Sequence, residues 1–86
     1  MTDILAVFRS RAQAADCNSR LKAAGVGCAM INTPKEAGVG CGLSIKIPQQ
    51  NANRAAFIIK NARYSAFYGF YSMNTGYGRV VLKRLN

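Results

Sequence analysis

Apolar positions along this chain fall into short blocks whose spacing changes from one block to the next. Ile4-Leu5-Ala6-Val7-Phe8 is an unbroken apolar run of strand length. Ser10-Arg11-Ala12-Gln13 then reads as a capping box, with Ser10 covering an early helical amide and Gln13 reaching back to the cap. The helix opened there is predicted to run from about Arg11 to Ala24 and to stop at Gly25, which supplies a left-handed cap. Ala14, Cys17, Leu21 and Ala24 recur at helical spacing and form its buried stripe. Cys28-Ala29-Met30-Ile31 is a second strand, ended by Thr33-Pro34, and a glycine-rich loop from Lys35 to Gly42 follows.

Leu43-Ser44-Ile45-Lys46-Ile47 alternates, which predicts a third strand with one buried and one wet face, ended by Pro48. Asn51 or Asn53 caps a second helix that turns Ala55, Ile58, Ile59 and Ala62 inward. Ser65 to Met73 is an aromatic strand, Asn74-Thr75-Gly76-Tyr77-Gly78 a turn, and Arg79 to Arg84 a last short strand. The order β-α-β-β-α-β plus one strand is the plan of an α+β, ferredoxin-like split βαββαβ sandwich with an extra short C-terminal strand. Residues 1–86 read as a single domain, with 77–86 as its extension and no internal repeat or linker.

At 86 residues, half of them apolar, the chain is long enough for one core and too apolar for wholesale disorder. No apolar run approaches the length of a membrane span, and Met1-Thr2-Asp3 lacks the basic and apolar regions of a signal peptide. Three cysteines at irregular spacing make a poor disulfide framework, so the expectation is a reduced, cytoplasmic protein with no membrane partner. Twelve basic residues against three acidic ones give a net charge of +9, which implies an anionic partner or serves solubility. The cations are scattered with no long run, which excludes a polybasic tail and leaves nucleic acid or a small anion.

The candidate chemistry centres on Cys41, set between glycines in Gly38-Val39-Gly40-Cys41-Gly42. A thiol flanked by residues without side chains is sterically open, and the amides near Gly40 and Gly42 are free to face an anion. In the predicted topology the start of the third strand lies beside the end of the first. That brings the loop to Arg9, Ser10 and Arg11 at the positive end of the helix macrodipole, with Lys35 on the same edge. Each of these influences stabilises a thiolate. The same edge offers amides and cations to an oxyanion or a chalcogen anion. Cys17 belongs to the apolar stripe and Cys28 opens a strand, so both read as structural. The three cysteines lack metal-site spacing and the chain has no histidine, so no metal is expected, nor any organic cofactor. The glycine-rich loop is not a phosphate-binding loop, because it lacks the Gly-Lys-Ser/Thr ending and leads into a strand.

Thr33-Pro34-Lys35-Glu36, four residues, then Cys41-Gly42-Leu43 before an alternating strand, resembles the selenium/sulfur carrier-like proteins, small bacterial proteins long classed as a domain of unknown function. The resemblance covers about Ile4 to Tyr71; Val39-Gly40 departs from its pattern and Tyr77 to Asn86 lie outside it. It implies that the cysteine matching Cys41 carries sulfur or selenium as a persulfide-like adduct. The protein would then be a carrier rather than a turnover enzyme, with sulfur or selenium donor and acceptor proteins as partners. Cys41 would be the reacting group, Arg9, Arg11 and Lys35 would steer the anion, and Gly40 and Gly42 would complete its cradle.

Two readings of other kinds stay open. One is a small basic RNA- or DNA-binding module, since Phe67-Tyr68-Gly69-Phe70-Tyr71 superficially matches the aromatic-rich motif of RRM domains. In that fold, however, the long motif belongs to the third strand, which here carries no aromatic. The other is a regulatory or scaffolding homo-oligomer that packs through its sheet face.

Overall fold

A computed structural model describes residues 2–38, 42–76 and 78–85. The apolar run at the start forms strand β1 (Thr2–Phe8), and helix α1 (Arg11–Ala23) follows after a two-residue link. The Ser10 hydroxyl accepts from the Gln13 amide at 3.2 Å, as an N-cap should. Gln13 departs from the capping-box expectation. Its side chain donates to the Ser65 hydroxyl and accepts from the Ala66 amide at 2.9 and 2.8 Å, tying α1 to the distant loop before the aromatic strand. At the other end the Gly25 amide bonds the Lys22 carbonyl and the Val26 amide the Leu21 carbonyl, with Gly25 at φ 79°. That pair of bonds is a Schellman motif, and buried Val26 caps the stripe of Ala14, Cys17 and Leu21.

Strand β2 (Ala29–Asn32) leads through a 3-10 turn at Lys35–Ala37 to β3 (Leu43–Pro48). A second 3-10 turn at Gln49–Asn51 precedes helix α2 (Ala52–Ala62). Asn51 stands at the N-cap but makes no capping bond; its amide donates to the Gly27 carbonyl instead. Strands β4 (Phe67–Gly76) and β5 (Arg79–Arg84) form a terminal hairpin. Asn74-Thr75-Gly76 of the expected turn therefore belongs to β4, where it pairs with Arg79, Val80 and Val81, while Tyr77 lies outside the described residues. The turn chemistry of Asn and Gly is overridden there by cross-strand pairing.

Among the described residues the fold is α+β: a five-stranded, wholly antiparallel sheet in the order β2-β3-β1-β4-β5, with two α-helices. Ala6, Phe8, Ile45, Ile47 and Phe70 turn to the helices and meet Ala14, Cys17, Leu21, Ala55 and Ile59 in the main core. Leu5, Val7, Tyr71 and Met73 turn to the opposite face, where Ala37, Tyr68, Val80 and Leu82 pack on them. This second face is not open to water, since Leu5 and Val7 are 0% exposed. Ser44 lies on it and is fully buried, so the expected wet face of β3 is dry at that position. The reason is the 3-10 turn at Lys35–Ala37, which lies across that side of the sheet and approaches β5.

Candidate functional site

The segment that carries Cys41 is closed at its neck by described residues. The Thr33 amide donates to the Gly42 carbonyl at 3.0 Å, and the Thr33 and Ser44 hydroxyls bond at 2.7 Å. Gly42 is forced by close approach. A Cβ there would stand 2.6 Å from the Phe8 carbonyl oxygen and 3.3 Å from Thr33 Oγ1. The Phe8–Leu43 register of β1 against β3 sets this contact. The neck thus lies against the last residue of β1, next to Arg9 and the Ser10 cap of α1. Cys41 and Gly40, on which the sequence reading rests most heavily, lie outside the described residues together with Val39.

The other predicted side chains spread along this end of the molecule. Arg11 is the exposed first residue of α1, and Lys35 is the exposed first residue of the 3-10 turn. Arg9 is exposed, its amide bonds the Ala66 carbonyl at 2.9 Å, and its guanidinium lies over the Tyr68 ring at 4.5 Å from the centroid.

A cluster that the sequence reading missed surrounds that ring. The Arg84 guanidinium lies 4.9 Å from the Tyr68 centroid and 5.8 Å from that of Tyr71, and it donates to the Tyr68 carbonyl at 3.0 Å. The Tyr68 and Tyr71 rings run nearly parallel, 4° between their planes, with centroids 6.4 Å apart. A β-bulge creates the arrangement. Val7 pairs with Gly69 and Phe8 with Phe67, so Tyr68 is the extra residue. Phe67 and Phe70 consequently both reach the helix side, where Phe67 packs on Phe8 and on Phe70, while Tyr68 and Tyr71 share the second face. Gly69 leaves room for Arg84, because a Cβ would stand 3.1 Å from its guanidinium. The glycine inside the aromatic run was the available signal in the sequence.

The described thiols are poorly suited to chemistry. Cys17 is 0% exposed, and burial first, then the neighbouring Cys28 and Asp16, pushes its pKa up to about 12. Cys28 is half-buried, directs its sulfur at the Asn18 side-chain oxygen at 3.3 Å, and is also raised by burial. Among the described residues no group of three His, Cys, Asp or Glu is placed to hold a metal ion, and no helix is long and apolar enough to cross a membrane.

A family model described as "Putative Se/S carrier protein-like" matches residues 3–71, from β1 into β4. No curated protein and no solved structure matches the chain.

Proposed function

Because the chain belongs to this Se/S carrier protein-like family, we propose that it holds and passes on sulfur or selenium at Cys41. The observation that carries the reading is the state of the other thiols. Burial raises the pKa of both Cys17 and Cys28 and so disfavours their thiolates, which supports Cys41 as the reacting sulfur. The neck of its loop supports the assignment, since Gly42 lies against Phe8, just before the Ser10-capped end of α1.

In the proposed step the Cys41 thiolate attacks the outer sulfur of a donor persulfide. A new S–S bond forms to Cys41, and the donor's S–S bond breaks with its electron pair leaving on the donor thiolate. The transferred sulfur keeps its oxidation state, so no external oxidant or reductant is required. Delivery to an acceptor thiolate is the same exchange in reverse. Arg9, Arg11 and Lys35 steer the anionic partner, and the amides around Gly40 and Gly42 cradle the terminal chalcogen. Donor and acceptor proteins are the partners in this scheme, and the protein acts as a carrier without an organic cofactor in a reducing, cytoplasmic setting. The strand order β2-β3-β1-β4, with a helix after β1 and another after β3, supports reading the first four strands as a ferredoxin-like split βαββαβ unit extended by β5.

Intact-mass measurement after incubation with glutathione persulfide tests the reading. The wild-type chain gains one sulfur atom that dithiothreitol removes, and Cys41→Ser gains none. An adduct that persists on Cys41→Ser, or its absence from the wild type, overturns the proposal.

A further inference from the structure

We propose that the corner formed by Arg9, Tyr68 and Arg84, which shares only Arg9 with the carrier reading, binds a carboxylate-rich segment of a partner protein. Both guanidiniums lie on one ring, 4.5 and 4.9 Å from its centroid, so they cannot be further apart than those two distances laid end to end. Like charges gathered so closely repel, and three acidic residues cannot neutralise twelve cations. An external anion relieves that repulsion.

The geometry selects the kind of anion. A guanidinium stacked on an aromatic face keeps its N–H donors in the plane of the fork, directed away from the ring. Arg84 commits one nitrogen to the Tyr68 carbonyl, and the exposed Arg9 guanidinium lies over the same ring. Guanidinium forks suit carboxylates, which each can grip bidentately. Arg and Tyr together are also the residues that dominate protein interface hot spots. A single nucleic-acid strand is less well matched. It needs aromatic faces free for bases, whereas Tyr71 is only 7% exposed and Tyr68 already carries guanidiniums on its ring. Arg84 comes from β5, beyond the family match that ends at residue 71, so the extension completes this corner. The inference goes beyond the carrier reading, because no readout below involves Cys41.

The test is fluorescence anisotropy at physiological ionic strength with a labelled hexaglutamate peptide, set against a hexathymidylate of matched length. The peptide binds the wild-type chain, and Arg9→Gln/Arg84→Gln weakens it about tenfold or more, the size of a lost charged hot-spot pair. Lys22→Gln/Lys60→Gln removes the same charge from the two helices and changes the affinity less than about threefold. Arg9→Lys/Arg84→Lys keeps the charge, guards against a folding defect, and still weakens binding because the forks are gone. Four outcomes overturn the proposal: no peptide binding, an equal loss in the helix control, no loss in the lysine variant, or tighter binding of the hexathymidylate than of the peptide.

Discussion

At the scale of single residues, the neck of the 33–42 segment has the least tolerance for change. Gly42→Ala must push a methyl into the Phe8 carbonyl, a contact of 2.6 Å with backbone that cannot swing aside. A loss of about 1–3 kcal/mol is expected, measured by denaturant unfolding. Thr33→Val leaves the buried Ser44 hydroxyl without its partner and costs about 1–3 kcal/mol by the same measurement. Adding Ser44→Ala removes the stranded hydroxyl, so the double variant should be more stable than Thr33→Val alone; additive losses would show that the pair is not coupled. The thiols give a separate prediction. Iodoacetamide labelling at graded pH should modify Cys41 first, with Cys17 and Cys28 protected by the burial that raises their pKa values. The same shift sets a pH dependence. Cys17 titrates near 9.0 when unfolded and near about 12 when folded, so its stabilising contribution is complete below the lower value and drains away as pH rises between the two. Tyr64, raised from 10.0 to about 12 chiefly by burial and then by its hydrogen bond to Asp16, acts in the same direction. Melting temperature should therefore be level up to about pH 9 and fall above it; a curve that rises through this window would refute the assignment.

At the scale of elements, the two helix ends differ in how well their residues suit them. Gly25 takes φ 79° at no steric cost, whereas Arg63 closes α2 at φ 53° with a side chain in the left-handed region. Arg63→Gly should leave stability unchanged or raise it by about 0.5–1 kcal/mol, and Gly25→Ala should lower it by about 1 kcal/mol, both read from thermal melts. The Gly25 stop was readable from sequence because a cap is local: one residue type answers one backbone demand. The stripe of Ala14, Cys17 and Leu21 was readable for the same reason, since its period is fixed by the helix itself. Gln13 was not, because its capping role competes with Ser65 and Ala66, more than fifty positions away in the chain and adjacent only once the fold has formed. Ser44 misled in the same way. Alternation assigns it to the second face of the sheet, but only the placement of Thr33 and the 3-10 turn at Lys35–Ala37 decides whether water reaches that face. The bulge at Tyr68 is a register event between β1 and β4 that period-two reading cannot anticipate, and it decides which tyrosines meet which arginines.

At the scale of the whole molecule, the net charge of +9 and the occupation of both sheet faces together determine what the protein can hold. The helices take one face and the 3-10 turn at Lys35–Ala37 lies across the other, so among the described residues the sheet presents no bare aromatic platform for bases. A chain with this excess of cations still retains any polyanion at low ionic strength through counterion release, and each phosphate contact adds about 0.7–0.9 to the slope of log affinity against log salt. The expected behaviour is thus weak, sequence-independent retention of a short single strand that disappears near physiological salt. It should be insensitive to Tyr68→Ala beyond the small effect of unseating Arg9 and Arg84 from that ring. Fluorescence anisotropy at low and at physiological salt, on wild type and variant, separates the cases. Sub-micromolar affinity at the higher salt, lost on Tyr68→Ala, would mean that bases displace the guanidiniums and stack on the ring, and would put a nucleic-acid-binding function ahead of the carrier.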